Sequence, residues 1–205
     1  MELKLRSGNT GFLWMTAIAA GIVASMGAAP LAARAIEIGH AAPAFTLTNV
    51  ASGQKTSLSA LKQGKKATVL MFIATRCPVS NAYNARMVDL AKKYSAQGIA
   101  FVGINSNETE PVAECAEHAT TNGFPFPVLK DAGDVIADKY DAHVTPETFV
   151  IDAKGVVVYH GRIDNSRDIG DVTTHELADA LDSVIAGKAV AKSETKAFGC
   201  GIKRG

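Results

Sequence analysis

Two uninterrupted apolar runs, separated by a helical pattern, constrain the fold of this chain more than any other feature. The first run covers residues 67–74 and the second covers residues 99–104. Between them, apolar side chains recur at helical spacing from Val79 to Tyr94, and Gly98 follows as a stop signal. Strands that are apolar along their whole length are covered on both faces, as in parallel sheets. The order strand, helix, strand at this length therefore predicts a parallel βαβ unit.

The rest of the pattern extends this unit into one domain over residues 36–187. β-rich segments and amphipathic segments follow one another along the chain. Further strands are predicted at 43–49, 128–129, 147–152 and 155–160, and helices at 110–121, 135–140 and 173–187. These elements predict an α/β fold, a three-layer α/β/α sandwich with a mixed central sheet. Residues 188–205 are polar and glycine-rich, which predicts an irregular, mobile C-terminal tail that carries Cys200.

Residues 1–35 have the order of a secretory signal peptide. A basic start at Lys4 and Arg6 precedes an uncharged, mostly apolar segment, and Ala33-Arg34-Ala35 forms a cleavage site before Ile36. The apolar segment is also long enough to span a bilayer, so an uncleaved N-terminal membrane anchor is the alternative. Cleavage would leave no stable membrane insertion and place the mature protein in the periplasm or cell envelope, an oxidising compartment.

Charge and cysteine content exclude several classes of function. Lys and Arg number 21 and Asp and Glu number 20, so the net charge of +1 disfavours a nucleic-acid partner, which requires a clear basic excess. The three cysteines are too few for a disulfide scaffold, and no Cys/His cluster has the spacing of a zinc site. We therefore expect neither a metal nor a cofactor.

Cys77 is the residue whose position in the sequence indicates a reactive side chain. It lies where the run 67–74 ends and the helical pattern begins, and Pro78 suits the first helical position. Unpaired amides and the helix dipole at such a position favour the thiolate and lower the pKa of the cysteine. A thiolate attacks disulfides and peroxides, which makes Cys77 a candidate nucleophile; a buried structural cysteine is the alternative.

Two segments carry a resemblance to a known superfamily. Val69-Leu-Met-Phe-Ile-Ala-Thr-Arg-Cys77-Pro-Val-Ser80 resembles the strand and Trp-Cys-x-x-Cys motif of exported thioredoxins, and Gly39-His-Ala-Ala-Pro43-Ala-Phe45-Thr-Leu47 is similar to the start of the AhpC/TSA and redoxin branch. The resemblance covers about residues 37–187. It is strongest to peroxiredoxin-like redoxins that keep only the first cysteine of the thioredoxin motif.

This resemblance implies a thioredoxin-like fold and roles for individual residues. Cys77 matches the attacking cysteine, and Ser80 replaces the second cysteine, where it can hydrogen-bond the thiolate but cannot resolve a mixed disulfide. Thr145-Pro146 matches the family's cis-proline, which would place Thr145 against the Cys77 sulfur and leave its backbone free to pair with an extended substrate. The chain departs from the peroxiredoxin pattern Pro-x-x-x-Thr-x-x-Cys, because Thr75 stands two residues before the cysteine and the proline is absent.

Another cysteine could resolve a mixed disulfide at Cys77. Cys115 lies on the apolar face of the predicted helix 110–121, which favours core packing. Cys200 lies between two glycines in the tail and could reach Cys77 in the same or a partner chain, and Gly199-Cys-Gly-Ile-Lys resembles a terminal motif of redoxin-like proteins. We predict a Cys77–Cys200 redox pair, with an incidental terminal thiol as the alternative.

Two further polar residues have equally plausible local explanations. Asn105 ends the second apolar strand and could line the Cys77 site, since ligand-facing groups gather at that sheet edge, but polarity at a loop start is as good an account. His143 could approach Cys77, although a surface loop histidine is the simpler interpretation.

Three functions remain open at this point. The first is an exported thiol–disulfide oxidoreductase that exchanges with protein or small-molecule disulfides and an external thiol reductant. The second is a peroxiredoxin-like thiol peroxidase in which Cys77 is oxidised to a sulfenic acid. The third is a non-enzymatic thioredoxin-fold binding module or copper carrier, which would normally require a Cys-x-x-x-Cys motif that this chain lacks.

Overall fold

The computed structural model describes residues 1–3 and 36–205, so the predicted signal peptide lies almost entirely outside the described residues. The strands are β1 (Thr46–Asn49), β2 (Lys55–Ser57), β3 (Ala67–Phe72), β4 (Ile99–Asn105), β5 (Val128–Lys130), β6 (Val144–Thr145), β7 (Glu147–Asp152), β8 (Val157–Gly161) and β9 (Cys200–Gly201). The helices are α1 (Leu58–Lys62), α2 (Pro78–Ala82), α3 (Asn84–Ser95), α4 (Val112–Thr121), α5 (Val135–Tyr140) and α6 (Glu176–Ile185), with a 3₁₀ turn at Ile169–Asp171.

Seven strands form a mixed sheet in the order β2-β1-β5-β4-β3-β7-β8. β3 and β4 run parallel, as the βαβ pattern predicted, and β5 is parallel to β4; β1 pairs with β5 and β7 pairs with β3 in the antiparallel sense. β3 is an interior strand of this sheet: its Val69 lies opposite Phe101 of β4 on one side and Val150 of β7 on the other.

Successive side chains of β3 point to opposite faces of the sheet and pack in two separate cores, one on each face. Val69 and Met71 belong to a cluster that includes Tyr94 of α3 and Leu177 of α6. Leu70 and Phe72 belong to the opposite cluster, which includes Leu58 of α1 and Tyr140 of α5. The three-layer α/β/α sandwich predicted from the sequence is thus confirmed, and it explains why β3 is buried along its entire length.

The predicted helix after Cys77 occurs as two helices, with a break at Tyr83. The Tyr83 amide donates to the Ser80 carbonyl three residues back, at 3.0 Å, so the four-residue repeat of an α-helix is interrupted there. Tyr83 is buried and its hydroxyl donates to Asp164 and to the Ser166 carbonyl, which ties this break to the loop before α6.

Within the tail, which is otherwise free of helix and strand, Cys200–Gly201 forms a short strand that the sequence did not predict. β9 pairs antiparallel with β6 in a separate two-stranded sheet, and Ile202 is buried in the core on the α5 side. Glycine content and the absence of periodicity gave no strand signal, because a two-residue strand needs only backbone pairing with its neighbour. Within residues 1–3 and 36–205, no helix combines the length and apolar composition required of a membrane span.

Candidate active site

Cys77 caps the N-terminus of α2 with its own side chain. Its Sγ accepts a hydrogen bond from the Ser80 amide at 3.2 Å, and Pro78 occupies the first turn, where a missing N–H has no cost. The side chain is 4% exposed, so the sulfur lies beneath other groups of the site. The strand-to-helix junction predicted from the sequence is therefore present.

Thr145 and Pro146 approach Cys77 from the opposite side. The peptide bond between them is cis, as the resemblance implied, and both residues are buried. The Thr145 carbonyl oxygen lies 3.4 Å from Cys77 Sγ and accepts from the thiol. We refer to residues 143–146 as the cis-proline loop.

The edge of the cis-proline loop is occupied by the tail. Cys200 of β9 lies opposite Thr145 of β6, where it is near enough to Cys77 for each thiol to shift the pKa of the other, and both thiols are free. A Cβ on Gly199 would lie 1.9 Å from the Thr145 carbonyl oxygen, so the close approach of the two strands requires glycine. The structure thus brings together the two cysteines that the sequence proposed as a pair.

The two thiols differ in acidity because of their surroundings. Burial raises the pKa of Cys77, but hydrogen bonds from the Cys200 thiol and the Ser80 amide outweigh it, so the net pKa lies below the usual thiol value. Burial and the neighbouring Cys77 sulfur raise the pKa of Cys200. A thiolate in this pair therefore resides on Cys77.

Ser80 contributes through its backbone rather than its side chain. Its hydroxyl accepts from the Ala74 amide at 3.2 Å and is fully buried, whereas its amide contacts Cys77 Sγ. Ser80 therefore hydrogen-bonds the Cys77 sulfur as expected, through its amide, while its hydroxyl holds Ala74 just after β3.

A buried carboxylate that the sequence did not single out holds the turn before Cys77. Glu110 accepts from the amides of Thr75 and Arg76 at 2.8 and 3.0 Å and from Asn105 Nδ2 at 2.6 Å. Burial raises the pKa of Glu110, but these donors outweigh it and keep the carboxyl ionised. Asn105 therefore supports the turn indirectly, through its hydrogen bond to Glu110. Its position at the end of β4 was the one sequence signal that pointed to this part of the site.

The remaining predicted residues lie away from the sulfur or pack the core. His143 is well exposed and its Nε2 lies 3.0 Å from Asp141, so its side chain does not join Cys77. Cys115 is 1% exposed, and burial raises its pKa to about 11, which confirms the core-packing prediction. Among the described residues, no group of three or more His, Cys, Asp or Glu side chains could hold a metal ion.

Comparison with known proteins agrees with this geometry. The model of the AhpC/TSA family matches residues 38–160. The thiol-disulfide oxidoreductase ResA of Bacillus thuringiensis (strain Al Hakam) is 29% identical over 149 residues, which cover 73% of this chain and 79% of that protein.

Two solved structures have a similar fold. A conserved uncharacterized protein from Geobacillus kaustophilus has a TM-score of 0.78 and 34% identity, covering 83% of this chain and 93% of that one. Peroxidoxin BcpB from Mycobacterium tuberculosis has a TM-score of 0.54 and 27% identity, covering 74% of this chain and 95% of that one. Since the family match spans more than half of its length, this chain belongs to the AhpC/TSA family and is an oxidoreductase with a thioredoxin-like fold.

Proposed function

We propose that this protein is an exported thiol–disulfide oxidoreductase in which Cys77 attacks and Cys200 resolves. The observation that carries the proposal is the pairing of Cys200 with Thr145, whose carbonyl oxygen lies 3.4 Å from Cys77 Sγ. The similarity to a protein named thiol-disulfide oxidoreductase supports the same reaction class. The signal-peptide pattern of residues 1–35 supports export to the periplasm or cell envelope.

The reaction begins with attack by the Cys77 thiolate on one sulfur of a substrate disulfide. The new bond joins Cys77 to that sulfur, the substrate S–S bond breaks, and the other sulfur leaves as a thiolate that takes up a proton. Cys200 then loses its proton and attacks Cys77 Sγ, which releases the second substrate thiol and leaves a Cys77–Cys200 disulfide. The substrate gains two electrons, and an external thiol reductant restores both protein thiols.

The other predicted site residues act on Cys77 through the backbone. The Ser80 amide stabilises the thiolate, and the Thr145 carbonyl, directed by the cis bond to Pro146, borders the sulfur. Because β9 occupies the β6 edge, Cys200 must move aside while a substrate disulfide reaches Cys77, and it returns for the second step.

A thiol peroxidase is the second candidate, favoured by the similarity to peroxidoxin BcpB. Cys77 would cleave the peroxide O–O bond and become a sulfenic acid, and Cys200 would condense with it to a disulfide and release water. The hydroxyl of Thr75, the one threonine near the peroxiredoxin position, instead donates to Glu114 at 2.5 Å. Disulfide exchange therefore remains the favoured reaction.

Peptide mass spectrometry of the mature protein tests the proposal. Protein purified without reductant and alkylated at once is expected to contain a Cys77–Cys200 linked peptide, and N-terminal sequencing of exported protein is expected to begin at Ile36. Cys200→Ser should accumulate mixed disulfides at Cys77, whereas the matched variant Cys115→Ser should not. Normal turnover of small and protein disulfides by Cys200→Ser would contradict the resolving role, and rapid consumption of peroxide with little disulfide exchange would favour the peroxidase.

A further inference from the structure

Glu147, the residue after the cis-proline, places a buried carboxylate directly behind the loop that faces Cys77. It is 5% exposed, and its Oε2 accepts from the amides of His143 and Val144 at 2.8 and 3.1 Å. These two amides belong to the cis-proline loop. One carboxylate oxygen therefore holds the chain that leads into Thr145.

The second carboxylate oxygen reaches a different part of the fold. Glu147 Oε1 lies 2.6 Å from His160 Nε2 on β8, and the imidazole stacks on Phe149 with ring centroids 4.2 Å apart. The backbone of His160 also binds the approaching tail, since its amide donates to Ser193 and its carbonyl accepts from Thr195. Glu147 thus bridges the cis-proline loop and the strand along which the tail runs.

A buried charge in this position is costly unless every lone pair is used. Burial raises the pKa of Glu147, but the hydrogen bonds from His160 and the two amides outweigh it and hold the pKa below its usual range. The carboxylate is therefore ionised, and its hydrogen bonds to the loop are charge-assisted and directional. The β6 edge that it supports presents Thr145 to Cys77 and pairs with Cys200.

We infer that Glu147 is a positioning residue for the redox centre, acting through the cis-proline loop to hold Thr145 and the paired Cys200 at Cys77. This inference rests on the proposed Cys77–Cys200 pair. It predicts that the carboxylate sets how readily the disulfide closes, in addition to any contribution to overall stability.

The test measures the equilibrium constant of the Cys77–Cys200 disulfide against glutathione in the full mature chain, together with the thermal unfolding midpoint. Glu147→Gln keeps the size of the side chain and removes its charge, and it is expected to lower this constant by about tenfold, which corresponds to about 1.4 kcal/mol. Asp131→Asn is the matched control, because Asp131 is equally buried and also accepts from two backbone amides, those of Ile136 and Ala137. It should lower the unfolding midpoint while leaving the disulfide constant unchanged.

The outcomes distinguish failure of the inference from failure of the proposed function. If wild-type protein forms the disulfide and Glu147→Gln forms it with the same constant, Glu147 is only structural and the inference is overturned. An equal decrease in Asp131→Asn would overturn it as well. If wild-type protein forms no such disulfide at any glutathione ratio, the proposed pair fails, and the inference falls with it.

A second variant covers the case in which Glu147→Gln does not fold. His160→Phe keeps an aromatic ring against Phe149 but removes the donor to Glu147 Oε1. It is expected to weaken the disulfide by a smaller factor than Glu147→Gln. An unchanged constant in folded His160→Phe would contradict the bridge between β8 and the loop.

Discussion

Adding a single methyl group at Gly199 should release the tail from the site. An alanine Cβ there would lie 1.9 Å from the Thr145 carbonyl oxygen and 2.7 Å from its carbon, and both are backbone atoms that cannot rotate away. The β6–β9 pairing seen in the structure is therefore incompatible with any side chain at this position. We predict that Gly199→Ala undocks Cys200 and Ile202 and exposes Cys77.

The contacts of Ile202 give a minimum for the size of the effect, since Lys203 and Gly205 are also hydrogen-bonded to the rest of the fold. Burial of Ile202 contributes about 1.5–3 kcal/mol, and its amide bond to the His143 carbonyl contributes about 1 kcal/mol. A docking free energy of about 3 kcal/mol corresponds to slowing of amide exchange by a factor on the order of 10². Gly199→Ala should lose most of this protection.

Hydrogen exchange of the C-terminal peptide in the reduced protein measures the loss directly. Gly201→Ala is the control, because a Cβ there would have its nearest neighbour, the His143 carbonyl oxygen, 3.9 Å away. The Ile202 amide should exchange on the order of 10² times faster in Gly199→Ala than in wild type and at the wild-type rate in Gly201→Ala. If Gly199→Ala exchanges as slowly as wild type, the tail can dock around the methyl group and the reasoning is refuted.

Three further results are expected from the surroundings of the thiols and of Glu110. Because the pKa of Cys77 is lowered, its alkylation rate should reach its plateau at a lower pH than that of an ordinary thiol. Cys200→Ala should shift the midpoint of this pH dependence upward, because it removes a hydrogen-bond donor. An unshifted midpoint would show that Cys200 does not stabilise the thiolate. Cys115→Ser should lower the free energy of unfolding by about 1–3 kcal/mol, since it buries a hydroxyl in an apolar cluster, while disulfide exchange persists. Glu110→Gln should be less stable than wild type near pH 7 by about 1–3 kcal/mol. Because the folded-state pKa of Glu110 is depressed, this difference should shrink as the pH falls through that pKa, and a difference independent of pH in urea unfolding would contradict the role of the charge.

The fold and the first thiol could be predicted because their signals are local in sequence. The apolar runs that became β3 and β4, and the Cys77-Pro78 junction between strand and helix, depend on the periodicity of neighbouring residues. The assignment of Cys115 to the core followed from the same periodicity. Such patterns can be recognised in the sequence without knowing any long-range contact.

Only the tertiary structure showed how the predicted neighbours of Cys77 are held in place. Cys200 meets Thr145 through backbone pairing of two residues, which needs no apolar pattern and leaves none in the sequence. Glu110 and Glu147 look like ordinary charged residues until the fold buries them against backbone amides from distant segments. The sequence by itself therefore determined the sandwich, the position of its nucleophile and the candidate partners of that nucleophile, whereas burial and long-range hydrogen bonding determined how those partners are held and how they set its acidity.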